Sequence, residues 1–491
     1  MKKNNKLRFK EIKKHKFFLI TCLFLSLIVL FLSRELYFKA NSKKLNLIIL
    51  SIDTLRPDHM GVYGYKKNTT PKIDNFSKKA TVFTNVSTVV PMTHPSFAAL
   101  ITGYDMFQSR IISNRSIDVS PNTKTLATRL KESGYKTIAF VSDISALKQG
   151  FDTFNIYSSY FLNDTRAGED AQTGRVDYEK FFKSAQKWIA ENKNNKFFTW
   201  IHLMNPHAPY FPPKELKCKF NAKYCLQIQE MTLQKLDNLR YEKQKCQNGE
   251  IPPSLIEMME TLYDGEVATA DRLIGDFLNT LKKNGLDNNT IVVIYGDHGE
   301  GFDHNYYFDH REVLYNSATQ IPLIIYDPLR PRRVYSDRLL QNTDILPTIL
   351  DLLQIPYENT FSGKSVAPLF YPFSSVHSLF LQPRKYSFST NSSWTKFSIS
   401  DGKYKYILSL PESCLYKNQQ EELYDIKKDW NETINIVNSN KKEGDRLRSV
   451  LLEHLSQYNL PQVAEQDNNP VSNKNNESRQ KVIEDLRSLQ Y

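Results

Sequence analysis

Apolar runs alternate along the chain with stretches in which apolar side chains recur every three or four positions. "LNLIILSID" (45–53) is followed by "PKIDNFSKKA" (71–80), "TLATRLKESG" (125–134) by "KTIAFVSD" (136–143), and "YEKFFKSAQKWIAEN" (178–192) by "KFFTWIHLM" (196–204). A long helical stretch over about 254–284 leads into "NNTIVVIYGDHGE" (288–300) and then "QIPLIIYDP" (320–328). Strands that are apolar throughout belong to a sheet covered on both faces, and their alternation with amphipathic helices is the rhythm of a parallel sheet. The pattern predicts an α/β fold, a mainly parallel sheet sandwiched by helices, over residues 45–373. From about residue 374 the pattern changes to "YSFST", "TKFSIS" and "KYKYILSL", which predicts a smaller antiparallel sheet in a subdomain ending near 463. Residues 214–250 turn to Lys, Gln and Asn without periodicity and read as a polar insertion. Residues 464–491 read as a polar tail with a short terminal helix.

The N-terminus follows other rules. Residues 1–16 carry eight Lys or Arg against one Glu, and the next seventeen, "FFLITCLFLSLIVLFLS" (17–33), carry no charge. That arrangement predicts a single transmembrane signal anchor with its basic flank in the cytoplasm, a linker over 34–44 and an extracytoplasmic body. A cleaved signal peptide is the alternative; the run is long for one, and "SRELYFKANSKK" offers no pair of small residues for cleavage.

Charge and cysteine change the picture little. The flank supplies +7 of the formal +12, so the remainder is mildly basic and no nucleic-acid partner is expected. Of five cysteines, Cys218, Cys225 and Cys246 share the insertion, while Cys22 and Cys414 stand apart. An oxidising compartment permits a disulfide such as Cys218 to Cys225, but the sequence alone does not fix the pairing.

Ligands of open parallel sheets bind outside the carboxyl ends of the strands. The residues arriving there are Asp53, His202 with His207 soon after, and Asp297 with His298. Singly, each has a plain reading: a helix cap for the acids, a core histidine for His202. Their convergence on one edge is what points to chemistry. Two carboxylates, an imidazole and one hydroxyl suit a single Zn²⁺ or Mn²⁺, whereas Ca²⁺ prefers an all-oxygen cage. The hydroxyl nominated is Thr93, in "VVPMTHPSFAALITG" (89–103), because coordination to a dication lowers the pKa of an oxygen acid and makes it a nucleophile. Pro95 suits a first helical turn, so the N–H groups around Ser96 and Phe97 are expected to face the anion Thr93 attacks. Ser96, the rival hydroxyl, reads as a cap or anion contact.

These residues sit in ordered motifs: "LSIDTLRPDHMGVYGY", "THPSFAALITG", "LKESGYKTIAFVSD" with "GFDTF", "WIHLMNPHAPYFPP", "VVIYGDHGEGFDH", "QIPLIIYDP", "DILPTILDLLQIPYENTFSGKSVAPL" and "EELYDIKKD". Over roughly 45–440 the chain resembles the sulfatase branch of the alkaline phosphatase superfamily. The resemblance implies a metal set of Asp53, Thr93, Asp297 and His298, with His202, His207 and His310 lining the pocket for the substrate's anionic group and leaving oxygen; His304 is a weaker candidate. It also exposes departures. Sulfatases carry Cys-x-Pro-Ser-Arg at the turn and convert that Cys to formylglycine; this chain has Thr93 and Phe97 in place of the Cys and the Arg, and Thr54 where a second Asp is usual. A Thr at this position is instead what the superfamily's membrane-anchored phosphoethanolamine and phosphoglycerol transferases carry. A two-metal site would call for Asp-x-x-x-His, and the nearest stretch, "DGEVA" from Asp264, lacks the His. The expected activity is therefore metal-dependent cleavage or transfer of a phosphate ester of a lipid or glycan, through Thr93. Sulfate-ester hydrolysis without formylglycine is the first alternative, and a catalytically silent protein that binds an anionic glycan or lipid headgroup is the second.

Overall fold

In the computed structural model, the described residues are 40–458 apart from 110, 112, 113, 115–118, 143, 158–177, 232–234, 237–250, 332, 359, 371–383, 411, 412 and 414–419, with scattered positions between 17 and 37. The basic flank 1–16, about half of the apolar run 17–33, much of the insertion and the tail 464–491 lie outside them. Among the described residues no helix is long and apolar enough to cross a membrane.

Five aliphatic side chains make the strand Asn46–Ile52 apolar on both faces, and it lies inside an eight-stranded sheet. In spatial order the strands are Val334–Ser336, Thr81–Phe83, Leu323–Tyr326, Thr290–Gly296, Asn46–Ile52, Phe197–Leu203, Lys136–Ser142 and Thr153–Tyr157. Seven share one direction. Leu323–Tyr326 breaks the parallel rhythm and runs antiparallel to both neighbours. Its connection differs from the others: between it and Thr290–Gly296 lie the short strands Phe302–Asp303 and Tyr306–Tyr307 and the four-residue helix Asn316–Thr319, with no long helix of the kind that usually carries a parallel crossover.

Alternation along the central strand feeds two cores. Ile48, Leu50 and Ile52 pack with Ile73, Phe181 and Phe277 from the helices Pro71–Ser77, Tyr178–Asn192 and Pro253–Lys283. Leu47 and Ile49 pack on the other face with Phe97, Leu126 and Ile349 from the helices Thr93–Thr102, Leu126–Glu132 and Ile345–Leu352. Each such side chain contributes roughly 1.5–3 kcal/mol by burial, which holds the ends of these strands in fixed positions.

The C-terminal sheet is antiparallel throughout, in the order Ser387–Thr390, Lys396–Ser400, Tyr404–Ser409, Glu421–Asp425. Leu447, Leu451 and Leu455 of the helix Lys441–Ser456 cover it, and this core also takes in Val89, Val90 and Met92, the residues leading to Thr93. In the insertion, Cys218 and Cys225 form a disulfide. The segment just before it lies directly on the long helix at Gly265, where a Cβ would stand 2.7 Å from Pro212 and 3.0 Å from the Leu216 carbonyl. Only glycine allows that approach.

Candidate active site

The carboxyl ends of the two adjacent strands Asn46–Ile52 and Thr290–Gly296 deliver Asp53 and Asp297 side by side, with His298 next in the chain. All three are fully buried, and one ligand atom from each lies within 4.8 Å of the others. His298 Nε2 is 3.6 Å from Asp53 Oδ1, 3.5 Å from Asp297 Oδ2 and 3.4 Å from Thr93 Oγ1. His202, within the neighbouring strand, brings its Nε2 to 3.5 Å from the other Asp53 oxygen. The structure thus gathers Asp53, Thr93, His202, Asp297 and His298 around one point.

Hydrogen bonds fix which atoms face that point. Asp297 Oδ1 accepts from the backbone N–H groups of Thr54 (3.1 Å) and His298 (2.8 Å), so Oδ2 is left facing the cluster, where it accepts no hydrogen bond from the described residues. His298 Nδ1 donates to the Gly299 carbonyl at 3.0 Å, which puts the ring's lone pair on Nε2, as a metal ligand requires. Burial, reinforced by the charge of Asp53, pushes Asp297 up to about 8. Burial likewise pulls His298 down to about 4, leaving it neutral. Two buried carboxylates, a neutral imidazole and a hydroxyl form a donor set short of positive charge, and a divalent cation fits it.

Three further histidines were expected in the pocket. His310 stands with its ring 4.1 Å from that of His298 and 5.6 Å from that of His207, so His207 and His310 join the cluster's margin. Glu300, which no sequence pattern singled out, is fully buried and meets His310 Nδ1 at 3.2 Å. His304 turns elsewhere: its nitrogens meet Asp303 (2.8 Å) and the Glu432 carbonyl (3.0 Å), and its ring stacks on Tyr315.

Two expectations need correction. Ser96 does not cap the helix, and its hydroxyl is engaged within the protein. Its hydroxyl donates to the Asp297 carbonyl at 2.7 Å and lies 2.6 Å from the Tyr295 hydroxyl, bracing the Thr93 helix against the metal-ligand strand. The N–H of Ser96 donates to the Met92 carbonyl and that of His94 to Asn114, so neither is available to a bound anion. Phe97 packs against Trp200, His202 and Tyr295, which makes its position a core site here.

Thr54, at the place of the usual second Asp, has left-handed backbone (φ 52°), a costly conformation for a β-branched residue. It is held there by its N–H on Asp297 and by Tyr263, whose hydroxyl donates to its carbonyl at 2.7 Å. Its Oγ1 is buried with no partner among the described residues. Asp264 is used otherwise than as a ligand: it takes His59 (2.8 Å), Tyr65 (2.9 Å) and Lys67 (2.8 Å) and pins the loop that follows the first strand.

The family model described as Sulfatase matches residues 45–355, and a second, N-sulphoglucosamine sulphohydrolase, C-terminal, matches 302–460. The chain belongs to the sulfatase family. It is 24% identical over 479 residues to an arylsulfatase of Clostridium perfringens, covering 84% of this chain and 94% of that one. To a Δ4,5-hexuronate-2-O-sulfatase of Bacteroides thetaiotaomicron it is 25% identical, covering 84% and 87%. Among solved structures, an enzyme in complex with its substrate D-glucosamine-2-N,6-O-disulfate superposes with a TM-score of 0.66 at 21% identity, covering 86% of this chain and 100% of that one. The phosphonate monoester hydrolase of Silicibacter pomeroyi superposes with a TM-score of 0.62 at 17% identity, covering 85% and 96%. The chain is a sulfatase-family hydrolase on an alkaline phosphatase-like fold, with a candidate site for a divalent metal.

Proposed function

We propose that this hydrolase is anchored in a membrane by residues 17–33, faces the extracytoplasmic side, and cleaves phosphate esters, phosphodiesters first, with Thr93 as nucleophile. One observation carries the reading: where sulfatases bear formylglycine, the residue here is a threonine whose Oγ1 stands 3.4 Å from His298 Nε2. Asp53, Asp297, His298 and Thr93 would hold one Zn²⁺ or Mn²⁺, which when bound supplies positive charge next to the attacking oxygen and the substrate's anionic group.

In the first half-reaction Thr93 Oγ, its proton released to solvent water, forms a bond to phosphorus, and the bond from phosphorus to the leaving alkoxide breaks. His310, beside the cluster, gives that oxygen a proton, and His202 and His207 border the anionic group. In the second half-reaction water attacks phosphorus, the Thr93 Oγ–phosphorus bond breaks, and His310 takes the water's proton. A threonine ester has no hydroxyl on the carbon bearing the ester oxygen, so it cannot expel its anion by collapsing to an aldehyde, as a hydrated formylglycine can. Attack at the central atom is the route left.

Purified protein given aryl phosphodiester and aryl sulfate side by side tests this. Faster phosphodiester cleavage with a phospho-adduct on Thr93 is expected, and Thr93→Ala should lower turnover by several orders of magnitude. Faster sulfate release without an adduct would favour the second reading, a sulfate esterase lacking formylglycine. That reading is supported by relatives named as sulfatases.

A further inference from the structure

The edge of the sheet opposite the site has its own character. The strands Asn46–Ile52, Lys136–Ser142, Phe197–Leu203 and Thr290–Gly296 begin in step, with Lys136 beside Phe197, Leu47 beside Phe198 and Asn46 beside Thr290. Lys43 and Lys44 precede the first, Lys136 opens the second, Lys193 precedes the third, and Lys282 and Lys283 end the long helix that leads to the fourth. All six are exposed, and none has an acidic partner among the described residues. The acids nearby are Glu132, held by Lys124 at 2.8 Å, Asp152, beside Thr137 and held by Lys131 at 2.7 Å, Glu191, 4.0 Å from Lys187, and the half-buried Asp287. The edge is therefore net positive. It spans four adjacent strand ends, about 15 Å at roughly 4.8 Å per strand, and forms a face rather than a groove.

The chain also enters here. Residues 40–42 are helical, Asn41 Nδ2 donates to the Tyr37 carbonyl one turn earlier, and after the turn at Lys43 and Lys44 the first strand starts at Asn46. Whatever follows the apolar run 17–33 thus meets the body at the lysine-bearing edge.

We propose that this face docks on an anionic lipid surface and turns the catalytic edge away from the bilayer, an inference that rests on the anchor reading of residues 17–33. A lysine near an anionic membrane gains about 1 kcal/mol, and the attraction fades over about 10 Å. A tether arriving at the same face raises the local lipid concentration, so six lysines suffice. A soluble polyanion has no such tether, which is why a bilayer is the favoured partner.

Full-length protein in vesicles of phosphatidylcholine, with or without phosphatidylglycerol, is treated with an amine acetylating reagent and read by mass spectrometry. Acetylation of the six lysines should slow by about five-fold with phosphatidylglycerol and recover in about 0.5 M salt. Lys428, on the C-terminal subdomain, should not change. Replacing Lys136, Lys193, Lys282 and Lys283 together by Glu should abolish protection of Lys43 and Lys44, with turnover of a soluble aryl ester in detergent unchanged. Equal acetylation in both vesicles overturns the proposal, and so does equal protection of detergent-solubilised protein by dextran sulfate. Failure of the anchor reading shows separately, as protein that does not float with neutral vesicles; phosphatidylglycerol vesicles added to that free protein then test the docking by itself.

Discussion

Asp297 and His298 are adjacent in sequence and pulled in opposite directions by the same burial. In metal-free protein Asp297 titrates near 8 against an ordinary 3.8, so between those values the folded chain keeps a proton the unfolded chain has lost, and stability falls as pH rises. His298 titrates near 4 against an ordinary 6.5, so its contribution is lost as pH falls below 6.5. Above 6.5 only the Asp297 slope remains. Chelator-treated protein should accordingly lose on the order of 1–2 kcal/mol of stability between pH 6.5 and 8, read by thermal melting. Asp297→Asn should flatten the slope, and added Zn²⁺ should raise Tm more at pH 8 than at 6.5; an unchanged slope in Asp297→Asn would place the proton elsewhere. Ser96 makes a second case at this scale. Ser96→Ala strips a donor from the Asp297 carbonyl and a partner from Tyr295 and from Asn342 Nδ2, which lies 3.1 Å from the Ser96 hydroxyl. It should cost about 1–3 kcal/mol and weaken metal binding by about ten- to a hundred-fold. Wild-type metal affinity in Ser96→Ala would show that the brace does not position Asp297.

At the scale of elements, the long helix Pro253–Lys283 serves the site although it carries no residue of the metal cluster. Asp264 pins the loop after the first strand, and two residues on, Glu266 holds both ends of the segment bearing His207: Asn205 Nδ2 and the Phe211 N–H both donate to its carboxylate, the latter at 2.8 Å. If Glu266 acts by placing His207, Glu266→Ala should raise KM, Glu266→Gln should restore much of it, and Glu266→Ala combined with His207→Ala should be no worse than His207→Ala alone. Additive losses in the double variant would mean that Glu266 only stabilises the fold. This division also explains what could be read in advance. Asp53, Asp297 and His298 follow apolar runs whose carboxyl ends define the binding edge, so local pattern located them. Ser96, Glu266 and Glu300 lie outside that logic, since each takes its meaning from a contact: Ser96 and Glu266 with residues some 200 and 60 positions away, Glu300 with a histidine across a hairpin. The reversed strand Leu323–Tyr326 was hidden for a related reason, because an apolar run carries no mark of its direction.

At the scale of the molecule, the two sheets behave as one body because their seam is buried and charged. Lys405, in the C-terminal sheet, meets Glu432 at 2.9 Å with both side chains out of solvent, and its Nζ also donates to Asn316 Oδ1 and Thr319 Oγ1 on the catalytic side. Glu432 in turn accepts from the Asn316 N–H. Burial drives Lys405 down and Glu432 up, so neither charge is comfortable without the other. Above the seam, Thr390 N–H and Ser389 Oγ donate to the carbonyls of Val89 and Thr88, four and five residues before Thr93. The nucleophile turn therefore hangs from the C-terminal sheet as much as from its own helix. Lys405→Ala leaves a buried carboxylate without its cation and should destabilise by about 3–5 kcal/mol, whereas Lys405→Met paired with Glu432→Gln should recover a large part of that. Because the core around Leu447 and Leu451 also includes Val90 and Met92, calorimetry should show a single transition that moves down as a whole in Lys405→Ala. Turnover should decline with it even at temperatures where the variant stays folded. Two separated transitions, with catalysis untouched by the loss of the C-terminal one, would show that the Thr93 turn is held by the parallel sheet alone.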